Sequence, residues 1–156
     1  KTYDEMGGSE YLNLKDQLGV NVPKVDVVEA RQRYEALHEA IMDGLVASCH
    51  DCSDGGLGAA LAETAGAGRL GMDLDITPVG QENPLVALFS ESQSRFVVTV
   101  SPKNAEAFEA MMNPTQCVRL GTVTDAPNFV VSHKGTALMD TPIDGLNDAW
   151  KATLNW

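Results

Sequence analysis

Apolar positions recur along this chain with two different periods, and the changes of period divide it into elements. Over residues 26 to 44, Val27, Ala30, Tyr34, Leu37, Ile41 and Leu45 are spaced by threes and fours, while Glu29, Arg33, Glu35 and Glu39 supply a wet side; this predicts one amphipathic helix. Residues 45 to 49 then read as a strand, Gly55-Gly56 as a tight turn, and residues 57 to 62 as the start of a small apolar helix that Gly66-Ala67-Gly68 ends. Further strands are predicted over residues 70–76, 95–100 and 118–123. Between the last two, Ser101-Pro102 opens a helix that turns Ala105, Phe108, Met111 and Met112 inward. Residues 129–132 and 136–139 form a hairpin around His133-Lys134-Gly135, and Thr141-Pro142-Ile143-Asp144 opens a last helix that buries Ile143, Leu146, Trp150 and Leu154.

From residue 45 to 123 the order is strand, helix, strand, strand, helix, strand, the split pattern of ferredoxin-like sheets. The fold class this predicts is α+β: a three-layer α/β/α sandwich with a ferredoxin-like βαββαβ core and a largely buried sheet. Residues 26–156 are expected to form that domain. Residues 1–25 pack poorly by composition, with Ser9 as the N-cap of a short helix and Gly19 to Pro23 as its breaker. They are expected to be a peripheral arm or linker leading from an upstream domain.

Composition narrows the function classes. The chain is 44% hydrophobic and 21% charged, as globular domains are, and its formal net charge of −11 carries no compensating basic run. Nucleic acid and anionic membrane are therefore not expected as partners. No apolar run approaches the ~20 residues needed to span a bilayer, and three cysteines, an odd number, make no disulfide framework. A cytoplasmic location is the resulting expectation. Cys49 and Cys52 form a C-x-x-C, but an extended backbone would point the two thiols to opposite faces, and Cys117, His38 and His133 show no metal-ligand spacing; buried packing is the expected role.

Two polar clusters stand between the apolar segments: His50, Asp51, Ser53 and Asp54 with the Gly55-Gly56 amides, and Ser90, Glu91, Ser92 and Gln93. Carboxylates at a strand end suit Mg²⁺, and amides at a helix start suit anionic groups. The same residues also serve plainly as turn formers and caps. No Ser/His/Asp triad and no phosphate-binding P-loop can be assembled, and Arg69 and Arg95 are the only basic residues close to either cluster in sequence.

These two clusters carry a resemblance. His50-Asp51-Cys52-Ser53-Asp54-Gly55-Gly56-Leu57 and Leu88-Phe89-Ser90-Glu91-Ser92-Gln93-Ser94-Arg95-Phe96, with Gly7-Gly8-Ser9-Glu10-Tyr11-Leu12 and Arg119-Leu120-Gly121-Thr122-Val123, resemble the C-terminal part of phosphoribosylformylglycinamidine synthase, in the aminoimidazole ribonucleotide synthetase superfamily. Ser-Glu-Ser resembles the small-type subunit, which works with a separate glutaminase subunit and a small bridging subunit. The resemblance implies an ATP-dependent ligase of purine biosynthesis, in which ATP and Mg²⁺ activate the amide of formylglycinamide ribonucleotide and glutamine-derived ammonia displaces phosphate to give the amidine.

For residues, the resemblance implies a substrate-binding set of Ser53, Asp54, Gly55, Gly56, Glu91, Ser92 and Gln93, a metal ligand in Asp51, and no catalytic residue in this chain. His50 stands where the first half of the synthase has glutamine, and the His-Asp form is typical of its second half, whose copy of the site is auxiliary. Most ATP and Mg²⁺ ligands are implied to lie in upstream domains. The chain is expected to be incomplete alone. Two alternatives accompany this reading: another superfamily member, of the selenophosphate synthetase or thiamine monophosphate kinase type, and a non-catalytic scaffolding or subunit-docking domain.

Overall fold

The computed structural model describes residues 1–152. In chain order the elements are α1 (Glu10–Asn13), α2 (Val27–Met42), β1 (Val46–Asp51), α3 (Gly56–Gly68), β2 (Gly71–Asp75), α4 (Pro84–Phe89), β3 (Phe96–Val100), α5 (Ala105–Met112), β4 (Gly121–Thr124), β5 (Asn128–His133), β6 (Thr136–Pro142) and α6 (Ile143–Ala152). Helices and a mixed set of strands make this the expected α+β class. Helix α4 is additional: Asn83 caps the Leu85 N–H and Pro84 occupies the first turn, a start signal inside what reads as a loop followed by an unassigned apolar run.

Apart from the added α4 between β2 and β3, the βαββαβ order is present from β1 to β4, but its strands are shared between two ladders. Strand β1 pairs antiparallel with β3, while β2 pairs antiparallel with β4 and parallel with β5, giving a sheet ordered β4-β2-β5-β6. The β5–β6 hairpin closes on Lys134 and Gly135, both at positive φ, as a two-residue primed turn requires. Because β5 takes the second edge of β2, β2 has no edge left for the β1–β3 pair. Periodicity reports which faces are buried, not which edges meet.

Two cores follow from this division. Leu57, Ala60 and Leu61 of α3 pack with Met72, Leu74, Phe129 and Val131 of the larger sheet, Leu88 of α4 and Ile143 of α6; Val97 of β3 joins them. On the other face of the β1–β3 ladder, Leu37 and Ala40 of α2 pack with Phe108 and Met112 of α5, against Phe96, Val98 and Val100. The three-layer sandwich thus holds only across β3, which is packed on both faces; β1 has no buried residue and β6 is mostly exposed, so the sheets are less buried than expected.

The helix stripes are correspondingly narrower than predicted. Val27, Tyr34 and Ile41 of α2 are exposed while Ala30, Leu37 and Ala40 are buried, because α5 and the ladder cover only part of that face. In α6 Ile143 is buried and Trp150 exposed; Leu154 lies outside the described residues.

Candidate functional site

Two structural reasons bring the turn after β1 against the loop after α4. Gly55 and Gly56 both take positive φ, which lets the chain reverse directly into α3. A Cβ on Gly56 would lie 2.5 Å from the Ser90 carbonyl oxygen and 2.9 Å from that of Leu88, so only glycine admits this approach. The loop is then locked from the other side: the Cys52 N–H donates to the Arg95 carbonyl at 2.9 Å, continuing the β1–β3 ladder past its end.

The two polar clusters meet at Glu91. Its Oε1 accepts the Gly55 N–H at 2.9 Å and the Glu10 N–H, at the first turn of α1, also at 2.9 Å. A single carboxylate therefore joins the Gly-Gly turn, the Ser-Glu-Ser loop and the N-terminal arm. The Gly56 N–H is used as well, donating to Ser53 O at 3.0 Å. Both glycine amides that could cradle an external anion are engaged by the chain itself.

Ser90 and Ser92 are fully buried and act on the arm. The Ser90 hydroxyl donates to Tyr3 O at 2.6 Å, the Ser92 hydroxyl accepts the Tyr3 N–H at 2.9 Å, and the two oxygens are 3.1 Å apart. Beneath them the Arg95 guanidinium, also buried, donates to Ser92 O at 2.8 Å, to the Thr2 hydroxyl at 3.0 Å and to Ser90 O. Burial pulls this guanidinium below its usual pKa, and Cys52, Glu5 and Glu91 oppose the shift. Thr2, Glu5 and Ser9 are buried in consequence, so the first part of the arm is built into the loop. Tyr11 extends the contact by stacking on Phe89, 4.9 Å between ring centroids.

The remaining members lie on the outside. His50 and Asp51 fall within β1 rather than in the turn, and Asp51, Ser53, Asp54 and Gln93 are exposed. The Ser53 hydroxyl donates to Asp51, and this bond holds the carboxyl below the ordinary aspartate value. The His50 ring nitrogen Nε2 lies 2.7 Å from Glu63 of α3, and Gln93 turns back on Glu91 O at 3.1 Å.

Asp51 can offer magnesium one carboxylate and no more. Among the described residues no group of three or more His, Cys, Asp or Glu side chains converges as a metal site. Mg²⁺ commonly completes its shell with waters and phosphate oxygens, so a lone carboxylate is a partial ligand, not a metal centre. The engaged glycine amides likewise do not fit a phosphate cradle. The three cysteines are free thiols, of which Cys52 is buried as expected while Cys49 and Cys117 are exposed; desolvation raises Cys52 and Cys49 above the usual range, and the Asp51 charge adds to the rise.

Several contributors had no local signal. Thr2, Tyr3 and Glu10 meet Ser90 to Arg95 across more than 80 positions of sequence, and Glu63 meets His50 through the packing of α3. Arg95 alone stood next to a predicted cluster.

Comparison with known proteins gives the family. A family model described as "AIR synthase related protein, C-terminal domain" matches residues 2–134, arm included. A phosphoribosylformylglycinamidine synthase subunit PurL from Caldanaerobacter subterraneus subsp. tengcongensis is 33% identical over 97% of this chain. The chain spans 21% of that relative's length. PurL of Thermotoga maritima complexed with FGAR superposes with a TM-score of 0.72 at 25% identity, over 81% of this chain and 22% of that one. The same protein complexed with AMPPCP gives a TM-score of 0.66 at 27% identity, over 74% of this chain and 21% of that one. With the family model covering most of its length, from the arm through the β5–β6 turn, this chain belongs to the AIR synthase related proteins and is their C-terminal domain.

Proposed function

We propose that this chain serves as the C-terminal domain of a phosphoribosylformylglycinamidine synthase. In this reading the full protein converts formylglycinamide ribonucleotide to its amidine with ATP and glutamine-derived ammonia. The observation that carries it is the Glu91 junction, which makes the Ser53–Gly56 turn and the Ser90–Gln93 loop one continuous wall. Support comes from the PurL relative at 33% identity and from neighbours whose own complexes hold FGAR and AMPPCP.

Within this reading the roles divide by exposure. Ser53, Asp54 and Gln93 present hydroxyl, carboxylate and amide groups to a polar substrate, while Gly55, Gly56, Glu91 and Ser92 hold them in place. Asp51 would supply one oxygen to a magnesium ion, whose remaining ligands would come from water, phosphate and other domains. ATP when bound activates the amide oxygen by phosphorylation; the residues of this chain only bind and orient. Upstream domains of the same protein, a separate glutaminase subunit and a small bridging subunit are the proposed partners, in the cytoplasm. Among the described residues no helix is long and apolar enough to cross a membrane.

The test uses the complete protein that contains this chain. Ser53→Ala, Asp54→Asn and Gln93→Ala are each expected to raise KM for the ribonucleotide roughly tenfold, about 1.4 kcal/mol of binding. The isolated chain is expected to turn over no ATP. Unchanged kinetics in all three variants would support the second reading, a scaffolding domain. One observation favours it: the amides and hydroxyls of both clusters are largely satisfied internally.

A further inference from the structure

A cleft of about 560 Å³ lies between the two ladders, bordered by strands β3 and β4 and by side chains of α2, α3 and α5. Residues 96–100 of β3 and 118–123 around β4 line it without a break, so both side-chain faces of each edge border the space. Register says which backbone groups these are. The Cys52 N–H bonds to Arg95 O at one end of the β1–β3 ladder, so alternation directs the N–H and C=O of Arg95, Val97 and Thr99 toward β1 and those of Phe96, Val98 and Val100 away from it. The Asp75 N–H bonds to Leu120 O, so in β4 Thr122 faces β2 while Gly121 and Val123 face outward. Among the described residues no strand pairs with either outer edge.

We propose that this cleft is the socket for an extended peptide strand from a partner polypeptide. Inserted between β3 and β4, the strand would join both ladders into one sheet, satisfying edge groups that an apolar small molecule would leave unpaired. Its side chains would be apolar on both faces, because Leu57 and Leu61 of α3 line one wall and Leu37, Phe108 and Met112 of α2 and α5 the other. Its flanks would be acidic. In a chain with 22 acids against 11 bases, Lys1, Arg33, Arg95 and Arg119 border the cleft with a single carboxylate, Glu109. Arg33 donates to Ser94 O and pairs with Glu29 at 3.9 Å, and Arg95 is buried on main-chain carbonyls, so the rim charge open to a partner is that of Lys1 and Arg119.

The test is titration of this chain with the acetylated, amidated peptide Glu-Val-Ile-Val-Phe-Val-Glu. Saturable one-to-one binding is expected, weakened at least tenfold by N-methylation of alternate peptide amides or by lysine at both flanks. Val98→Pro and Val123→Pro, each removing an outward N–H without touching the existing ladders, are expected to weaken binding by a similar factor. Absence of saturable binding at 1 mM peptide, or equal binding of the N-methylated peptide, would overturn the proposal; the latter would make the cleft an ordinary apolar pocket. The N-methylated control needs no protein variant, so misfolding of either proline variant leaves the test intact.

Discussion

Glu91 and Gly55, 36 residues apart, are joined by a 2.9 Å bond from the glycine amide to the glutamate Oε1, and the same oxygen takes the Glu10 amide. Replacing Glu91 by alanine strands two backbone donors at once. The expected cost is ~1–3 kcal/mol, a fall in Tm of roughly 2–12 °C for a domain this size. Glu91→Gln keeps an acceptor oxygen and should lose clearly less, as thermal unfolding followed by circular dichroism would show.

Gly56→Ala meets both a left-handed φ of +64° and a carbonyl oxygen 2.5 Å from the new Cβ, and is expected to cost ~3 kcal/mol or more. Gly44 is the control. Its φ is +68° but nothing lies within 4 Å of the added carbon, so Gly44→Ala should cost only ~1 kcal/mol. Equal effects in chemical denaturation would remove the close-approach argument.

The Ser53 hydroxyl keeps the Asp51 carboxyl below its ordinary range. A depressed carboxyl favours the folded state above the unfolded aspartate value, and this contribution is lost as pH falls through the lowered folded value. Ser53→Ala is therefore expected to return the Asp51 midpoint upward. Carbon-detected NMR titration of the carboxyl would register the change, and an unaltered midpoint would show that the hydrogen bond is not its cause.

Arg95→Lys retains the charge but not the planar fork that reaches Ser90, Ser92 and Thr2 together. Faster amide exchange at Tyr3 and Glu5 is expected, with ~2–4 kcal/mol lost overall. Retained protection at these amides would mean that the serines alone hold the arm.

Burial lifts the Cys52 thiol, so little thiolate exists near pH 7. Native Cys52 should resist iodoacetamide there and react freely once the chain is unfolded. Rapid native labelling would revive a redox role for the C-x-x-C.

The local layer of this structure was legible in the sequence: helix starts at Asp26, the strand from Val46, the hairpin at Lys134-Gly135 and the two polar clusters all carry periodic or turn signals. The pairing of edges was not, because β5 competes for β2 from 57 residues away. The arm was misjudged for the same reason. Thr2, Glu5 and Ser9 look like loop residues by composition, and their burial depends on Ser90, Ser92 and Arg95. The resemblance pointed to the Gly55-Gly56 turn and the Ser90–Gln93 loop, and these meet in the fold, but it could not tell that the Gly55 amide faces Glu91 instead of an open site.

Hydrogen exchange at Gly55 and Glu10 in the Glu91→Ala protein tests the junction most directly. Loss of protection at both amides, beyond that of the β5–β6 hairpin measured alongside, is the result expected if one carboxylate unites turn, loop and arm. Protection retained at either amide would contradict it.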